Sequence, residues 1–379
     1  MDFAFSEEQE EFRAIVRRFV EQRWPTSEVR RLAETPTSFD AGVWKQMAAE
    51  LGLQGLAIPE LHGGQGFHFL ELGIALEELG RQLAGGPYFA SSVLATQAVL
   101  AVGNPAEHAE WLPSIAAGDS ILTLAVLEPS GRADIESITT TCRRGSDGWR
   151  ISGIKTPVLD AQNADAILVA AREAGSSGAE GLTLLALRPD APGVTITPVE
   201  GLDLTRKHAD LALRDAVATP LGRPGAAGPA LVRVLDLATI ALAAESIGAA
   251  ARCLEMAVAY AKERFQFGRP IGSFQAVQHK CAEVMLELES ARSAAYWSWW
   301  VAAQPEVDSA ELAEAASIAK ATCGDALTRA AAENVQIHGG VGFTWEFDCH
   351  LFFRRAKAVE HLFGDPVWHR ARLAERLGF

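Results

Sequence analysis

The sequence is poor in the residues that build covalent or metal-held frameworks. Its 379 residues include five cysteines, Cys142, Cys253, Cys281, Cys323 and Cys349, and no two form a C-x-x-C pair. An odd number of widely spaced thiols, most within apolar helical stretches, predicts buried reduced cysteines rather than a disulfide framework or a zinc site, and no metal is expected. Positive charge is also scarce. Lys and Arg number 34 against 48 Asp and Glu, for a net charge of −14. Nucleic-acid binding, which needs a cationic footprint, is therefore not expected. An anionic cofactor stays open, because a few placed cations and helix N-termini suffice for one. The N-terminal MDFAFSEEQEEF has no basic segment leading into an apolar core, so no export signal is visible. No apolar run long enough to span a bilayer stands apart from helical core patterning. A cytoplasmic protein without a membrane span is the expectation.

What is present is an ordinary globular composition, 49% hydrophobic and 22% charged, long enough for two or three packed units. From Ser6 to about Ala117 the apolar periodicity is helical. Ser6-Glu7-Glu8-Gln9 reads as a capping box ahead of Phe12, Ile15, Val16, Phe19 and Val20. Further helices are predicted over Ala41–Leu51, Leu70–Gln82 and Ala90–Val102, with a glycine-rich break at His62-Gly63-Gly64-Gln65-Gly66. From about Gly118 short β-prone runs take over at 121–127, 138–142, 149–152, 166–170, 182–187 and 194–197. Their close spacing suits an antiparallel barrel or sandwich better than alternating βα units. From about Gly228 long helices return, over Pro229–Arg264, Gln275–Ala303 and Asp308–Ile337. The third opens on a second expected capping box, Asp308-Ser309-Ala310-Glu311. Short connections between them predict an antiparallel four-helix bundle closed by a helix near Asp348–Val359. The fold class is α+β, divided into an N-terminal α-helical domain (1–117), a middle β domain (118–226) and a C-terminal helical bundle (227–379).

Two long motifs carry a family resemblance. Arg264-Phe265-Gln266-Phe267-Gly268-Arg269-Pro270-Ile271-Gly272-Ser273-Phe274-Gln275 resembles the R-x-Q-F-G-x-P-I-x-x-F-Q signature of acyl-CoA dehydrogenases. Gln336-Ile337-His338-Gly339-Gly340-Val341-Gly342-Phe343, followed by Glu346, resembles that family's second signature at the family's spacing. The likeness extends to MDFAFSEEQ, to Pro59-Glu60-Leu61-His62-Gly63-Gly64-Gln65-Gly66 and to Leu76-Glu77-Glu78-Leu79-Gly80, covering nearly the whole chain.

The resemblance implies an acyl-CoA dehydrogenase-like fold, bound FAD, and α,β-desaturation of an acyl-CoA thioester with an electron-transfer flavoprotein as acceptor. It assigns the cofactor to Arg264, Gln266, Phe267, Gln275, Gln336, Gly339 and Gly340, with Leu127 contributing backbone. Arginine offers planar, permanently charged donors to a diphosphate, and paired glycines let backbone approach it closely. In the family these groups reach into a neighbouring subunit's site, implying a homodimer, a homotetramer or an α2β2 assembly. His338 reads as a packed neighbour of the glycines, and the YWSWW run at 296–300 as core and interface aromatic packing.

The family's catalytic glutamate is missing from both of its usual places. Alignment puts Phe363-Gly364-Asp365 where a Glu-Gly-Thr stretch carries the commoner base, and Ala238, followed by Thr239, at the alternative position. Neither side chain takes a proton. The T-E-P-x-A-G-S-D stretch becomes Leu127-Glu128-Pro129-Ser130-Gly131-Arg132-Ala133-Asp134, and K-x-W-I-T becomes Lys155-Thr156-Pro157-Val158-Leu159, so side chains that face the flavin are lost. Glu245 and Glu360 are the candidate substitute bases, with His361 behind them. A buried Glu245 paired with an arginine is the competing structural reading. Three functions follow: a homomeric FAD-dependent dehydrogenase with a displaced base, a non-catalytic subunit completing FAD sites beside a glutamate-bearing homologue, and a flavin oxidase or monooxygenase. Steroid side-chain thioesters are the substrates of some α2β2 members the chain resembles.

Overall fold

A computed structural model describes residues 5–146 and 148–379. Met1–Ala4, where the MDFAFSEEQ stretch begins, and Asp147 lie outside the described residues.

Six helices open the chain: α1 (Glu7–Arg23), α2 (Thr26–Ala33), α3 (Ala41–Leu51), α4 (Phe69–Arg81), α5 (Thr96–Val102) and α6 (Pro105–Ala116). The expected capping box at α1 is formed. Ser6 Oγ accepts from Gln9 N at 3.2 Å, and Gln9 Oε1 accepts from Ser6 N at 3.0 Å. The helix expected over Ala90–Val102 is regular only from Thr96, because Phe89–Ala95 winds as a π-helix. At its end Thr96 N reaches back five residues to Ser91 O, and the Thr96 hydroxyl donates to the same carbonyl at 2.8 Å.

The L-E-E-L-G stretch has a structural meaning. Glu77 and Glu78 are buried and accept from Arg13 and Arg17, with Arg13–Glu77 at 2.6 Å and Arg17–Glu78 at 2.8 Å. Gly80 is required by a close helix crossing, since a Cβ there would lie 2.2 Å from the Glu245 carbonyl oxygen.

Seven strands follow: β1 (Leu122–Ala125), β2 (Thr141–Gly145), β3 (Gly148–Leu159), β4 (Ala166–Glu173), β5 (Leu182–Leu187), β6 (Val194–Val199) and β7 (His208–Leu221). They run in the order β1-β4-β2-β3-β7-β5, with β6 on β7, and pairing of β4 with β5 closes the ring. The expectation of a purely antiparallel arrangement needs correction, because β1 and β2 both pair with β4 in parallel. The sequence reading also missed the 14-residue β7, whose inward side alternates through Ala209, Leu211, Leu213 and Ala216. Its small and charged residues weaken the β-branched signal. Alternating inward residues, including Ile151, Val169 and Leu185, fill the barrel as a core separate from the main one.

The C-terminal helices are α7 (Gly228–Glu263), α8 (Gln275–Ala302), α9 (Ser309–His338), α10 (Cys349–His361) and α11 (Pro366–Arg376). Helices α7, α8 and α9 pack on one another, and α10 and the unanticipated α11 pack on α9. Trp299 of the YWSWW run is fully buried, against Gly73 of α4. The second expected capping box is absent. Asp308 stands at the N-cap of α9, but its side chain makes no capping bond. All five cysteines are free thiols, four of them buried. Among the described residues no helix is long and apolar enough to cross a membrane.

Candidate functional site

The two motif segments meet at one end of the bundle. Arg264 directly follows α7 and leads into a hairpin of β8 (Phe265–Gln266) and β9 (Arg269–Pro270). Phe267 at φ 53° and Gly268 at φ 80° make its tight turn. Ile271 N donates to Arg264 O at 2.8 Å, which closes the base of the hairpin. The Arg264 guanidinium is exposed and has no hydrogen bond or ion pair among the described residues. Phe267 is 92% exposed and Phe265 60%, far more than an apolar ring in a finished surface. Gln266 turns its amide to Phe265 O at 2.7 Å. Gln275 begins α8, and Gln336 lies in the last turn of α9; both are exposed.

Beyond α9, Gly339 adopts φ 65° and Gly340 an ordinary φ. A Cβ at either would meet nothing within 4 Å. The left-handed backbone accounts for Gly339, but nothing inside this chain demands glycine at position 340. An unpartnered guanidinium, a glycine open to the outside and exposed aromatic rings together fit the diphosphate end of a dinucleotide covered by a second polypeptide.

His338 belongs to the packing behind this surface. Its Nδ1 lies 2.8 Å from Asn334 O, and its ring stacks on Tyr260 with centroids 4.1 Å apart.

The barrel segment around Leu127 and Glu128 does not match that openness. Glu128 is buried and fully engaged. It accepts from Thr139 N at 2.8 Å, Thr140 N at 2.9 Å and Lys155 Nζ at 2.8 Å. Burial opposes its ionisation, but Lys155 and the threonines outweigh that and hold it at about 2. Burial pushes Lys155 down to about 8 against the pull of Glu128. The Leu127 carbonyl is taken by Thr156 N at 2.9 Å, and Thr156 Oγ1 donates to Asp210 at 2.5 Å. Asp134 caps the short turn Ile135–Ser137, accepting from Ser137 N at 2.9 Å.

Between this face and the helices, Leu94, Leu124, Leu127, Pro157, Leu362 and Phe363 enclose a void of only about 10 Å³. A neighbouring space beside Pro157, Leu202, Arg206 and Leu362 holds about 90 Å³. Small-ligand pockets begin near roughly 300 Å³. The residues on this side therefore do not fit a flavin ring with a thioester against it.

Phe363 is the reason. It is buried, with φ 59°, and its ring stacks on Phe89 of the π-helix at 6.3 Å and 24°. It separates the small void from an outer cleft of about 190 Å³ lined by Ile135, Asp236, Thr239, Trp368 and Arg372. A left-handed, non-glycine backbone persists only when its surroundings over-determine it. Here His369 Nε2 donates to Phe363 O at 3.0 Å, while Lys320 Nζ donates to Val359 O at 2.7 Å and Glu360 O at 3.0 Å. Burial and the nearby Lys320 push the His369 imidazole down to about 3. Ala238, the other base position, is buried in α7.

Both candidate substitute bases are occupied. Glu245 accepts from the Arg206 guanidinium, both side chains being about nine-tenths buried. The same guanidinium lies 4.9 Å over the Phe89 ring. Glu360 accepts from Lys357 Nζ at 2.7 Å. Neither lines the void beside Phe363, and the exposed His361 does not either. The residues that shape this region most, Phe89, Arg206, Lys320 and His369, carry no motif and no periodic signal in the sequence that singles them out.

Comparison with known proteins agrees with this architecture. Family models described as the acyl-CoA dehydrogenase N-terminal, middle and C-terminal domains match residues 6–119, 123–215 and 229–378. The acyl-CoA dehydrogenase IpdE2 of Mycolicibacterium smegmatis is 33% identical over 97% of this chain and 98% of its own length. Among solved structures, the ChsE4-ChsE5 complex from Mycobacterium tuberculosis superposes with a TM-score of 0.89 at 29% identity, covering 100% of this chain and 99% of the other. The Tcur3481-Tcur3483 steroid ACAD gives 0.87 at 29% identity, covering 98% of each chain. Butyryl-CoA dehydrogenase from Megasphaera elsdenii gives 0.90 at 26%, covering 100% of both. This chain belongs to the acyl-CoA dehydrogenase family, whose members are FAD-binding oxidoreductases.

Proposed function

We propose that this chain is the partner subunit of a heteromeric acyl-CoA dehydrogenase. It completes FAD sites with Arg264, Gln336 and the Gly339–Gly340 segment, and removes no α-proton at a flavin face of its own. One observation carries the reading. Phe363, at the position of the family's commoner base, is stacked and buried so that the space over Leu127 and Pro157 shrinks to about 10 Å³, room for one water at most.

The division of labour follows from the residues. FAD, where bound, supplies the hydride acceptor for α,β-desaturation. Arg264 presents a permanent cation with several donors to its diphosphate, and Gly340 leaves the backbone free for close approach. Phe265 and Phe267 are placed to exclude water once a second subunit covers them. The proton-accepting glutamate would come from that second subunit, a homologue carrying Glu-Gly-Thr, in an α2β2 assembly. The similar two-component Tcur3481-Tcur3483 steroid ACAD and ChsE4-ChsE5 complex support extending the reading to a steroid side-chain CoA thioester, and the family resemblance implies an electron-transfer flavoprotein as acceptor. The homomeric reading needs Glu245 or Glu360 at the reacting carbon, and both are committed elsewhere. Nothing in the site favours an oxidase or monooxygenase.

The test is co-expression. Alone, the chain is expected to purify colourless. With the glutamate-bearing homologue it should yield a yellow assembly that bleaches under anaerobic acyl-CoA titration, with one FAD per pair of unlike chains. A yellow, bleachable homo-oligomer of this chain alone would overturn the proposal.

A further inference from the structure

The groups proposed to hold the cofactor sit on two segments far apart in sequence, and among the described residues no side-chain hydrogen bond or ion pair joins one group to the other. Arg264 has no partner among the described residues, and Gly339 and Gly340 face open space. Their spacing therefore depends on what lies behind them. Tyr260 is one turn before Arg264, whose N donates to Tyr260 O at 2.9 Å. His338 ends α9 immediately before Gly339.

The Tyr260 and His338 rings stack at 4.1 Å and 22°, and Phe347 meets them edge-on at 6.2 Å and 5.8 Å. The imidazole is held in register. Asn334 O can only accept, so His338 Nδ1 carries the proton and donates at 2.8 Å. Beside the stack, Ala257, Ala261 and Ile337 form a small core with Tyr260, Ile271 and Val277, separate from both larger cores.

We propose that Tyr260, His338 and Phe347 are positioning residues that clamp the end of α7 to the end of α9, setting the distance between the Arg264 guanidinium and the Gly339–Gly340 backbone and so the affinity for FAD. The clamp rests on the reading of this chain as holding a shared FAD. Diphosphate recognition by a planar guanidinium and by backbone is directional, so a loosened spacing weakens both contacts together. Among the described residues no side-chain hydrogen bond or ring contact links the stacked rings to the Arg264 guanidinium, and the stack acts through placement of the two backbone segments it joins.

The experiment uses the assembly co-purified with the glutamate-bearing homologue, stripped of flavin and titrated with FAD by fluorescence quenching. Tyr260→Leu is expected to raise the FAD Kd roughly three- to tenfold, the range an aromatic pair contributes. Tyr260→Phe, which keeps the stack, should stay within about twofold of the original. Phe347→Leu gives the same readout from the edge-on partner if Tyr260→Leu fails to assemble. Equal Kd values for the leucine and phenylalanine variants would overturn the clamp alone. An unsubstituted assembly that takes up no FAD would overturn the shared-site reading, and the clamp with it.

Discussion

Phe363 and Phe89 stack with ring centroids 6.3 Å apart, and the Arg206 guanidinium lies over the far partner at 4.9 Å, bound in turn to Glu245. This row of four side chains runs from Phe363, where the sequence reading expects the commoner base, to Glu245, one of the two candidate substitutes. The four side chains form a packed row, and each of its members can be tested.

Truncating Phe363 removes a buried ring and leaves a cavity. Phe363→Ala is expected to cost about 3–5 kcal/mol in chemical denaturation. Because Phe363 packs on Phe89 and, among the described residues, makes no hydrogen bond or ring contact with the Arg264 hairpin or the glycine pair, FAD uptake by the assembly should be unchanged under native conditions. A parallel loss of FAD affinity would show that this face takes part in cofactor binding.

The Arg206–Glu245 pair is buried, so breaking it strands a charge. Arg206→Met alone should cost about 3–5 kcal/mol, and the double variant with Glu245→Gln should recover most of that in a denaturation cycle. Acyl-CoA turnover per FAD should survive Glu245→Gln in the assembly, whereas a displaced catalytic base would lose it.

Two buried groups give opposite pH dependences. His369 is depressed to about 3 in the folded chain, so its contribution is complete above the ordinary histidine value near 6.5. That contribution is lost as pH falls towards 3, because only the unfolded chain then binds the proton. Asp160 is raised by burial to about 7, despite its bond from Asn163 and the nearby Arg206. Its contribution is complete below the ordinary aspartate value near 3.9 and is lost as pH rises towards 7. The two slopes, each at most about 1.4 kcal/mol per pH unit, oppose each other in the unaltered protein. His369→Gln should therefore make stability fall more steeply as pH rises from 4 to 6.5, and Asp160→Asn should make it rise. Thermal midpoints measured across that range check both signs.

Gly340 separates folding from binding. Since a Cβ there meets nothing within 4 Å, Gly340→Ala should leave the unfolding free energy of the isolated chain unchanged to within about 0.5 kcal/mol. The same substitution should weaken FAD binding by the assembly if the proposed shared site holds, because the added methyl would then face the cofactor. Arg264→Ala, which removes a charge-assisted donor worth about 1.5–3 kcal/mol, should weaken it by roughly ten- to a hundredfold. Equilibrium dialysis of the stripped assembly distinguishes these from changes in folding.

The helix–barrel–helix order, the capping box at Ser6, the Arg264 and Gly339 motifs and the absence of a carboxylate at Ala238 and Phe363 were all legible in one dimension. Periodicity, turn chemistry and residue identity are local properties, and the strands that were missed, such as β7, are those whose small and charged residues blur the alternation. The α9 cap failed for a related reason: Asp308 has the right identity, but identity does not settle which side-chain bond forms.

Local pattern could not say how Phe363 packs. Whether Phe363 leaves a hollow or fills one depends on Phe89, His369 and Lys320 arriving from other elements. Glu245 takes as its partner an arginine 39 residues away, on the approach to β7. Close packing and the cost of an unpaired buried charge act between surfaces that meet only in three dimensions, so the tertiary structure alone decided that this interior is closed while Arg264 and the Gly339–Gly340 segment stay open.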